Sequence, residues 1–332
     1  MSCAYLAFTD RGLALAHRLA QAQPGTVDRC GKDGVRLGDW TSRNFARYNA
    51  LVFVGAVGIA VRAIAPHCRS KATDPAVVVV DEAGQFAIPV LSGHLGGANA
   101  LARTLAAACG AVPVITTATD VRGIFAVDEW AKQAGCAVLE PERIKQVSGR
   151  LLAGEPVGFW SEFPINGTPP AGVSPAPAQQ QADFALTLFP QGEGLHLVPV
   201  IGVLGVGCRR GTTAQQLEAA FAAFCARYAL SPRCICAAAS IDLKQNEAGL
   251  LEFCAAHRWA VSFYSAGQLK TVPGNFTPSA FVCSVTGVDN VCERAAALAA
   301  GGTIRIPKQA ADGVTFALAL RPYAPDWRNQ NG

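Results

Sequence analysis

Three times along this chain an apolar run breaks at a cluster of glycines and gives way to a helical pattern. Leu51 to Val54 runs into Gly55-Ala56-Val57-Gly58 and a helical stretch from Ile59. Phe86 to Leu91 runs into Ser92-Gly93-His94-Leu95-Gly96-Gly97, and Ala98, Leu101, Ala102, Leu105, Ala106 and Cys109 then recur at helical spacing. Val200 to Val206 runs into Gly207-Cys208-Arg209-Arg210-Gly211-Thr212-Thr213, followed by a helix with Leu217, Phe221, Phe224, Cys225 and Tyr228 on one face. Strands that alternate with helices in this way require a largely parallel sheet covered on both faces. The chain of 332 residues is long enough for two or three such domains.

Other elements are legible around these junctions. Tyr5 to Phe8 reads as a strand and Gly12 to Ala22 as a helix. Val77 to Val80, the turn Asp81-Glu82-Ala83-Gly84 and Phe86 to Leu91 form a hairpin pattern. Val112 to Thr116 reads as a buried strand, and Leu151 to Trp160 has room for another. Asn166 to Asp183, rich in Pro, Gly, Ala and Gln, reads as a long loop or linker. Further on, Ile235 to Ser240 and Val261 to Tyr264 suit strands, Asn246 to His257 and Val291 to Ala300 helices, and Thr303 to Ile306 with Val314 to Leu320 a closing hairpin. The expected fold is α/β and multidomain: two α/β domains with mixed or parallel sheets flanked by helices, residues 1–130 and 198–325, joined by a small middle region over 131–197.

Composition excludes several functions. A net charge of +4 with no Lys/Arg stripe argues against nucleic-acid binding but suits an acidic small molecule. No apolar run reaches the roughly 20 residues of a membrane span, and Asp10, Arg11, His17 and Arg18 interrupt the N-terminal stretch, so a signal peptide is not expected. The 12 cysteines contain no Cys-x-x-Cys pair; buried reduced thiols in a cytoplasmic protein are expected, and a metal site is not.

A glycine turn before a helix can turn backbone N–H groups towards an anion. None of the three loops matches a phosphate-binding Gly-Lys-Ser/Thr loop or a dinucleotide-binding Gly-x-Gly-x-x-Gly loop, and a plain tight turn is the competing reading. Arg209 and Arg210 can clamp carboxylates bidentately, or be solvated loop charges. His94, between a strand end and a helix start, can move protons near neutral pH, or bond to nearby backbone as a structural side chain. Arg62, Lys71, Asp74, Asn99, Thr116, Thr117, Thr119, Asp120 and Asp128 gather at strand ends or turns, where a cap or surface ion pair is the better reading of each taken alone; Asp242, Lys244 and Glu247, at a later strand-to-helix transition, read equally well as helix-start polar groups.

Phe53 to Trp130 resembles the N-terminal domain of the cobalt-precorrin 5A hydrolase family of anaerobic cobalamin synthesis. The resemblance is carried by Gly55-Ala56-Val57-Gly58-Ile59-Ala60-Val61-Arg62, Lys71-Ala72-Thr73-Asp74-Pro75, Ser92-Gly93-His94-Leu95-Gly96-Gly97-Ala98-Asn99 and Ile115-Thr116-Thr117-Ala118-Thr119-Asp120. Gly205 to Thr212, Ser240 to Lys244 with Glu247 to Leu250, and Gly287-Val288 with Val291, Glu293, Ala295 and Ala296 are similar to the family's C-terminal domain.

The resemblance implies hydrolysis of the δ-lactone of a cobalt-corrinoid, with release of acetaldehyde. It implies His94 as the proton-transfer residue, Asp74 or Asp120 as its orienting group or as the base instead, and the Gly96 and Gly97 N–H groups or the Asn99 amide at the oxyanion. Substrate contacts are expected from Gly55, Gly58, Arg62, Lys71, Ser92, Gly93, Gly96, Gly97, Thr116, Thr117, Arg209, Arg210, Gly211, Thr212 and Lys244. No external cofactor is expected, since cobalt arrives with the substrate. The expected partner is that small molecule, with no nucleic acid and no membrane; a homodimer or transient contact with other enzymes of the pathway stays open. A non-catalytic corrinoid carrier is the rival reading, and a methyltransferase using the Gly205 to Gly211 loop a weaker one.

Overall fold

The computed structural model of the chain describes residues 2–70, 73–93, 96–117, 120 and 122–328, with Phe281 described by its backbone alone. Two compact units emerge: one runs through Trp130 and includes Leu151–Ala153, and the other takes Ala131–Arg150 and the chain from Gly154 onward.

The first unit is built on β1 (Cys3–Ala7), α1 (Asp10–Ala22), β2 (Gly25–Arg29), α2 (Leu37–Phe45), β3 (Ala50–Val54), α3 (Val57–Ile64), β4 (Ala76–Val80), β5 (Phe86–Leu91), α4 (Ala98–Cys109) and β6 (Val112–Pro113). Its sheet has the order β2-β1-β3-β4-β5-β6. β1 to β4 run parallel, β5 runs against β4, and β6 runs parallel to β5. The unbroken apolar runs of β3 and β4 follow from burial on both faces. Tyr5, Val52, Val54, Val78 and Val80 pack with Leu19, Leu101 and Leu105 of α1 and α4. Leu6, Leu51, Phe53, Val77 and Val79 pack with Trp40, Phe45, Ala60 and Ile64 of α2 and α3.

The second unit contains parts of α5 (Val127–Gln133) and α6 (Ile144–Leu152), with β7 (Cys136–Val138) between them, then β8 (Val157–Ser161), β9 (Val173–Pro175), β10 (Phe184–Leu186) and β11 (Leu195–Pro199). Its first sheet has the order β7-β11-β10-β8-β9. Trp327 packs edge-on against Phe159 and Phe184 of that sheet.

The unit continues with β12 (Gly202–Cys208), α7 (Ala214–Tyr228), β13 (Ile235–Ile241), α8 (Ala248–Ala256), β14 (Ala260–Tyr264), α9 (Ala266–Lys270), α10 (Ala280–Thr286), α11 (Cys292–Ala300), β15 (Thr303–Ala311) and β16 (Val314–Leu320). These make a sheet of order β14-β13-β12-β16-β15, in which β12, β13 and β14 are parallel and β16 runs against β12. A capping box between Thr213 and Gln216 starts α7. Gly205 lets α11 lie on β12, because a Cβ there would sit 1.9 Å from the Cys292 carbonyl oxygen.

The α/β class with mixed and parallel sheets is as expected, but three local expectations are corrected. Val112 to Thr116 is not a buried strand: only Val112–Pro113 pair, at the sheet edge, with Val112 58% exposed. Pro113 has no N–H for a further neighbour, which suits an edge. Asn166 to Asp183 is not simply a linker, since β9 lies inside it and pairs with β8. Val200 to Val206 is not one strand, since β11 ends at Pro199 and β12 starts at Gly202 in a different sheet.

Candidate active site

In the first unit the direction of β5 decides the geometry. Because β5 is antiparallel to β4, Leu91 pairs with Val77 and Ala87 with Val80. The Ser92–Gly97 loop therefore leaves at the edge where β3 and β4 begin. Gly55 and Gly58 follow β3 at the opposite edge, where the Gly55 N–H meets the Val80 carbonyl. The Arg62 guanidinium folds back over Gly58, 3.7 Å from where a Cβ would stand. The two edges are about 13 Å apart along a five-residue strand. Gly55, Gly58 and Arg62 thus stand at one edge of the sheet, and Ser92, Gly93, Gly96 and Gly97 at the other. His94, Lys71 and Thr119 lie outside the described residues.

At the Ser92 edge the structure does assemble a polar cluster. Asn99, 2% exposed, donates to Thr117 Oγ1 (3.1 Å) and to Asp120 Oδ2 (3.0 Å). Asp120 also accepts from Arg103 (2.8 Å) and from the Thr117 hydroxyl. Ser92, at φ +56°, donates its hydroxyl to the Asp74 carbonyl (3.0 Å). The N–H groups of Ala98 and Asn99 donate to the carbonyls of Ser92 and Gly93 (3.1 and 2.9 Å).

The Asn99 amide thus ties the start of α4 to Thr117 and Asp120. Asp74 and Asp120 also have structural work. Asp74 Oδ2 accepts the N–H groups of Arg69 and Ser70 (2.8 and 3.0 Å), closing the turn before β4, and Asp120 ties α4 to the end of the β6 segment. Thr116 is exposed beside them.

In the second unit β12, β13 and β14 are parallel, so their carboxyl ends share one edge, the edge where open α/β sheets bind ligands. A cavity of about 650 Å³ opens there. Gly207, Cys208, Arg209 and Arg210 form one side, Ser240, Ile241 and Lys244 another, and α10, Asn290 to Cys292 and the β15–β16 hairpin close it. Arg209, Arg210, Lys244 and Lys308 bring four cationic side chains to its lining, against one acid, Asp312. Val282, Val285, Ile241 and Val291 give it apolar walls. Cys208 and Cys292 also line it, and burial holds both as thiols, Cys292 pushed up to about 12. The chemistry of this lining is to grip anionic groups around an apolar body, without a thiolate nucleophile.

The grip belongs to side chains rather than backbone. The Gly211 N–H, expected to face an anion, donates instead to Glu247 Oε2 (3.0 Å). The Thr212 hydroxyl donates to the Arg209 carbonyl (2.8 Å). Gly211 and Thr212 therefore shape the loop that presents the arginines. Lys244 donates to Glu247 Oε1 (3.0 Å). The Gly211 N–H first, and Lys244 next, hold the Glu247 carboxyl below its ordinary range.

Comparison with known proteins gives this arrangement a context. Residues 39–120 match the family described as Cobalamin synthesis G N-terminal, 125–188 the Cobalamin biosynthesis central region and 202–319 the Cobalamin synthesis G C-terminus. A protein of Salmonella typhimurium named Cobalt-precorrin-5A hydrolase is 36% identical, over 96% of this chain and 97% of its own. A second of that name, from Priestia megaterium, is 34% identical over 84% and 80%. The chain belongs to the cobalt-precorrin-5A hydrolase family. A solved structure described as a cobalamin biosynthesis protein G homolog from Sulfolobus solfataricus covers 97% of each chain at 20% identity and a TM-score of 0.43.

Within this member of the family, sequence reading missed Lys308, Asn290 and the cavity face of α10. The closing hairpin was read as ending at Ile306, which left Lys308 in a turn. β15 in fact continues to Ala311 through register shifts between Ile304 and Gln309, which break the two-residue alternation. Among the described residues no group of three or more His, Cys, Asp or Glu could hold a metal ion, and no helix is long and apolar enough to cross a membrane.

Proposed function

We infer that this chain is a cobalt-precorrin-5A hydrolase, which opens the δ-lactone of a cobalt-corrinoid and releases acetaldehyde. The observation that carries the reading is the C-terminal cavity: apolar walls suit a flat macrocycle, and Arg209, Arg210, Lys244 and Lys308 suit its rim of carboxylates. Similarity to the named hydrolases extends along almost the whole chain, which favours catalysis over simple carriage.

In the reaction, water loses a proton to a base as its oxygen adds to the lactone carbonyl. The tetrahedral oxyanion collapses and expels an alkoxide on the methyl-bearing carbon. The alkoxide electron pair then forms the C=O of acetaldehyde as the bond to the macrocycle breaks, and the conjugated ring accepts the electrons. We assign the proton transfer to His94 and the oxyanion contacts to the N–H groups of Gly96 and Gly97. Support comes from the bracing of the flanking residues: Ser92 is tied to Asp74, and Asn99 to Asp120. The cobalt belongs to the substrate, and the proposal uses no other cofactor. Cytoplasmic residence is proposed on the reduced state of the cysteines. A second copy of the chain or a neighbouring pathway enzyme is the proposed class of partner beyond the substrate.

His94→Ala is the test. The variant should still bind the corrinoid but release acetaldehyde about 10²–10⁴-fold more slowly; wild-type turnover would remove His94 from the mechanism.

A further inference from the structure

Glu293 is a buried carboxylate of the second unit, and nothing in the chemistry above uses it. It stands in the first turn of α11 and is 1% exposed. Four donors meet it: the Thr277 N–H (2.7 Å) and hydroxyl (2.9 Å), the Asn290 amide (2.8 Å) and the Lys308 N–H (2.6 Å). Asn290 returns the contact by accepting from the Glu293 N–H (2.9 Å), and its amide also holds the Thr277 carbonyl (2.8 Å).

Burying a carboxylate is expensive unless every lone pair is satisfied, and an apolar side chain of similar size would hold helix to strand at less cost. What the carboxylate supplies is a fixed spacing: it ties Lys308 to the Thr277 and Asn290 segments, which also bond to each other through the Asn290 amide and the Asp289 carbonyl. Thr277 leads to Ser279, whose hydroxyl caps α10. That helix turns Val282, Val285 and Thr286 to the cavity, with Val285 left 62% exposed. Lys308 and Asn290 line the same cavity. One buried group thus holds both an apolar wall and a cation of the same cavity.

We propose that Glu293 is a positioning residue for corrinoid binding. It sets the distance between the α10 wall, which meets the flat face of the macrocycle, and Lys308, which meets a carboxylate on its rim. The proposal rests on the corrinoid reading of the cavity. It extends that reading to a residue that touches no substrate.

The test uses full-length enzyme and two readouts: acetaldehyde release, and titration with cobyrinic acid, a stable cobalt corrinoid that keeps free carboxylates. In Glu293→Gln the new amide NH₂ faces N–H donors, so contacts break while size is kept. KM and the corrinoid Kd should rise about tenfold, with the loss falling on binding rather than on kcat. Lys308→Ala should give a similar rise. The double variant should be far less impaired than the product of the two, because both act through one contact.

A folded Glu293→Gln protein with wild-type KM and Kd overturns the proposal. So does a loss in which kcat and thermal stability fall together while Kd holds, or effects that multiply with Lys308→Ala. If Glu293→Gln does not fold, Thr277→Val removes one donor from an exposed residue, and a Kd rise of about threefold is expected; an unchanged Kd refutes the proposal equally. Wild type that binds cobyrinic acid but releases no acetaldehyde from the lactone would overturn the hydrolase assignment, leaving the positioning role to be judged on Kd alone.

Discussion

Gly313→Ala separates a backbone cost from a substrate-binding cost. Gly313 sits in the β15–β16 turn at φ +82°, and its carbonyl accepts the Arg209 N–H (3.1 Å). Alanine in that left-handed conformation costs about 1–2 kcal/mol. The new methyl would also stand 2.7 Å from both Cδ and Nε of Arg209 and 3.1 Å from Cγ. These atoms belong to an exposed, flexible side chain, so the arginine swings aside and the fold survives. Losing one charge-assisted bond to a substrate carboxylate costs about 1.5–3 kcal/mol, which is roughly 10- to 150-fold in affinity. Gly301→Ala supplies the control: it carries φ +59° in the same sheet domain with nothing within 4 Å of the added carbon. Both variants should lose a few degrees in thermal unfolding, at about 2–4 °C per kcal/mol. Only Gly313→Ala should raise KM, and the rise should vanish in an Arg209→Ala background. Equal KM values for the two glycine variants would refute the assignment of Arg209 to the substrate.

Two further outcomes follow from the same edge of the sheet. If side-chain cations grip the substrate rim, raising the salt from about 0.1 to 1 M, which cuts the screening length from about 10 to 3 Å, should raise KM several-fold while kcat changes little; a flat KM would contradict the grip. Glu247 supplies the pH dependence. Its carboxyl is held below the ordinary 4.5 by the Gly211 N–H and then Lys244, so its contribution to stability is fully present above about pH 4.5 and is lost as pH falls through the lowered value. Glu247→Gln should therefore lower the melting temperature at pH 7, with a gap to wild type that closes on acidification towards pH 3. A gap that is constant with pH would show that the carboxylate charge is not what holds the Gly211 loop.

Much of the fold was readable because burial on both faces leaves an unmistakable mark. Leu51 to Val54 and Val77 to Val80 could hardly be anything but central strands. The edge strand β2, Gly-Thr-Val-Asp-Arg, has no such run and is exposed or half-buried throughout; neither it nor α2 stood out. The site was legible in its parts and not in their grouping. The Val77–Leu91 hairpin could be read directly, and with it the reversal that sends the Ser92 loop to the opposite edge from Gly55. Strand-to-helix signatures are local, however, and carry no sense of sheet polarity. Lys308 did not stand out, and Glu293 did so only within the block similar to the family's C-terminal domain, for a related reason. Their meaning lies in hydrogen bonds that span 15 and 16 residues and cross bulges, where no periodicity survives.

The two glycine-rich loops, each between a strand and a helix, thus do opposite things with their donors. At Gly211 the backbone N–H is surrendered to Glu247, and positive charge is presented on Arg209 and Arg210, long side chains that can reach carboxylates at several positions. That suits a large disc whose acidic arms are themselves flexible, because a rigid backbone cradle would fit one arm and miss the rest. At Ser92 the requirement is reversed. The loop that carries the proposed base must hold one geometry, and the side chains of Asn99, Thr117 and Asp120 are spent on bracing it.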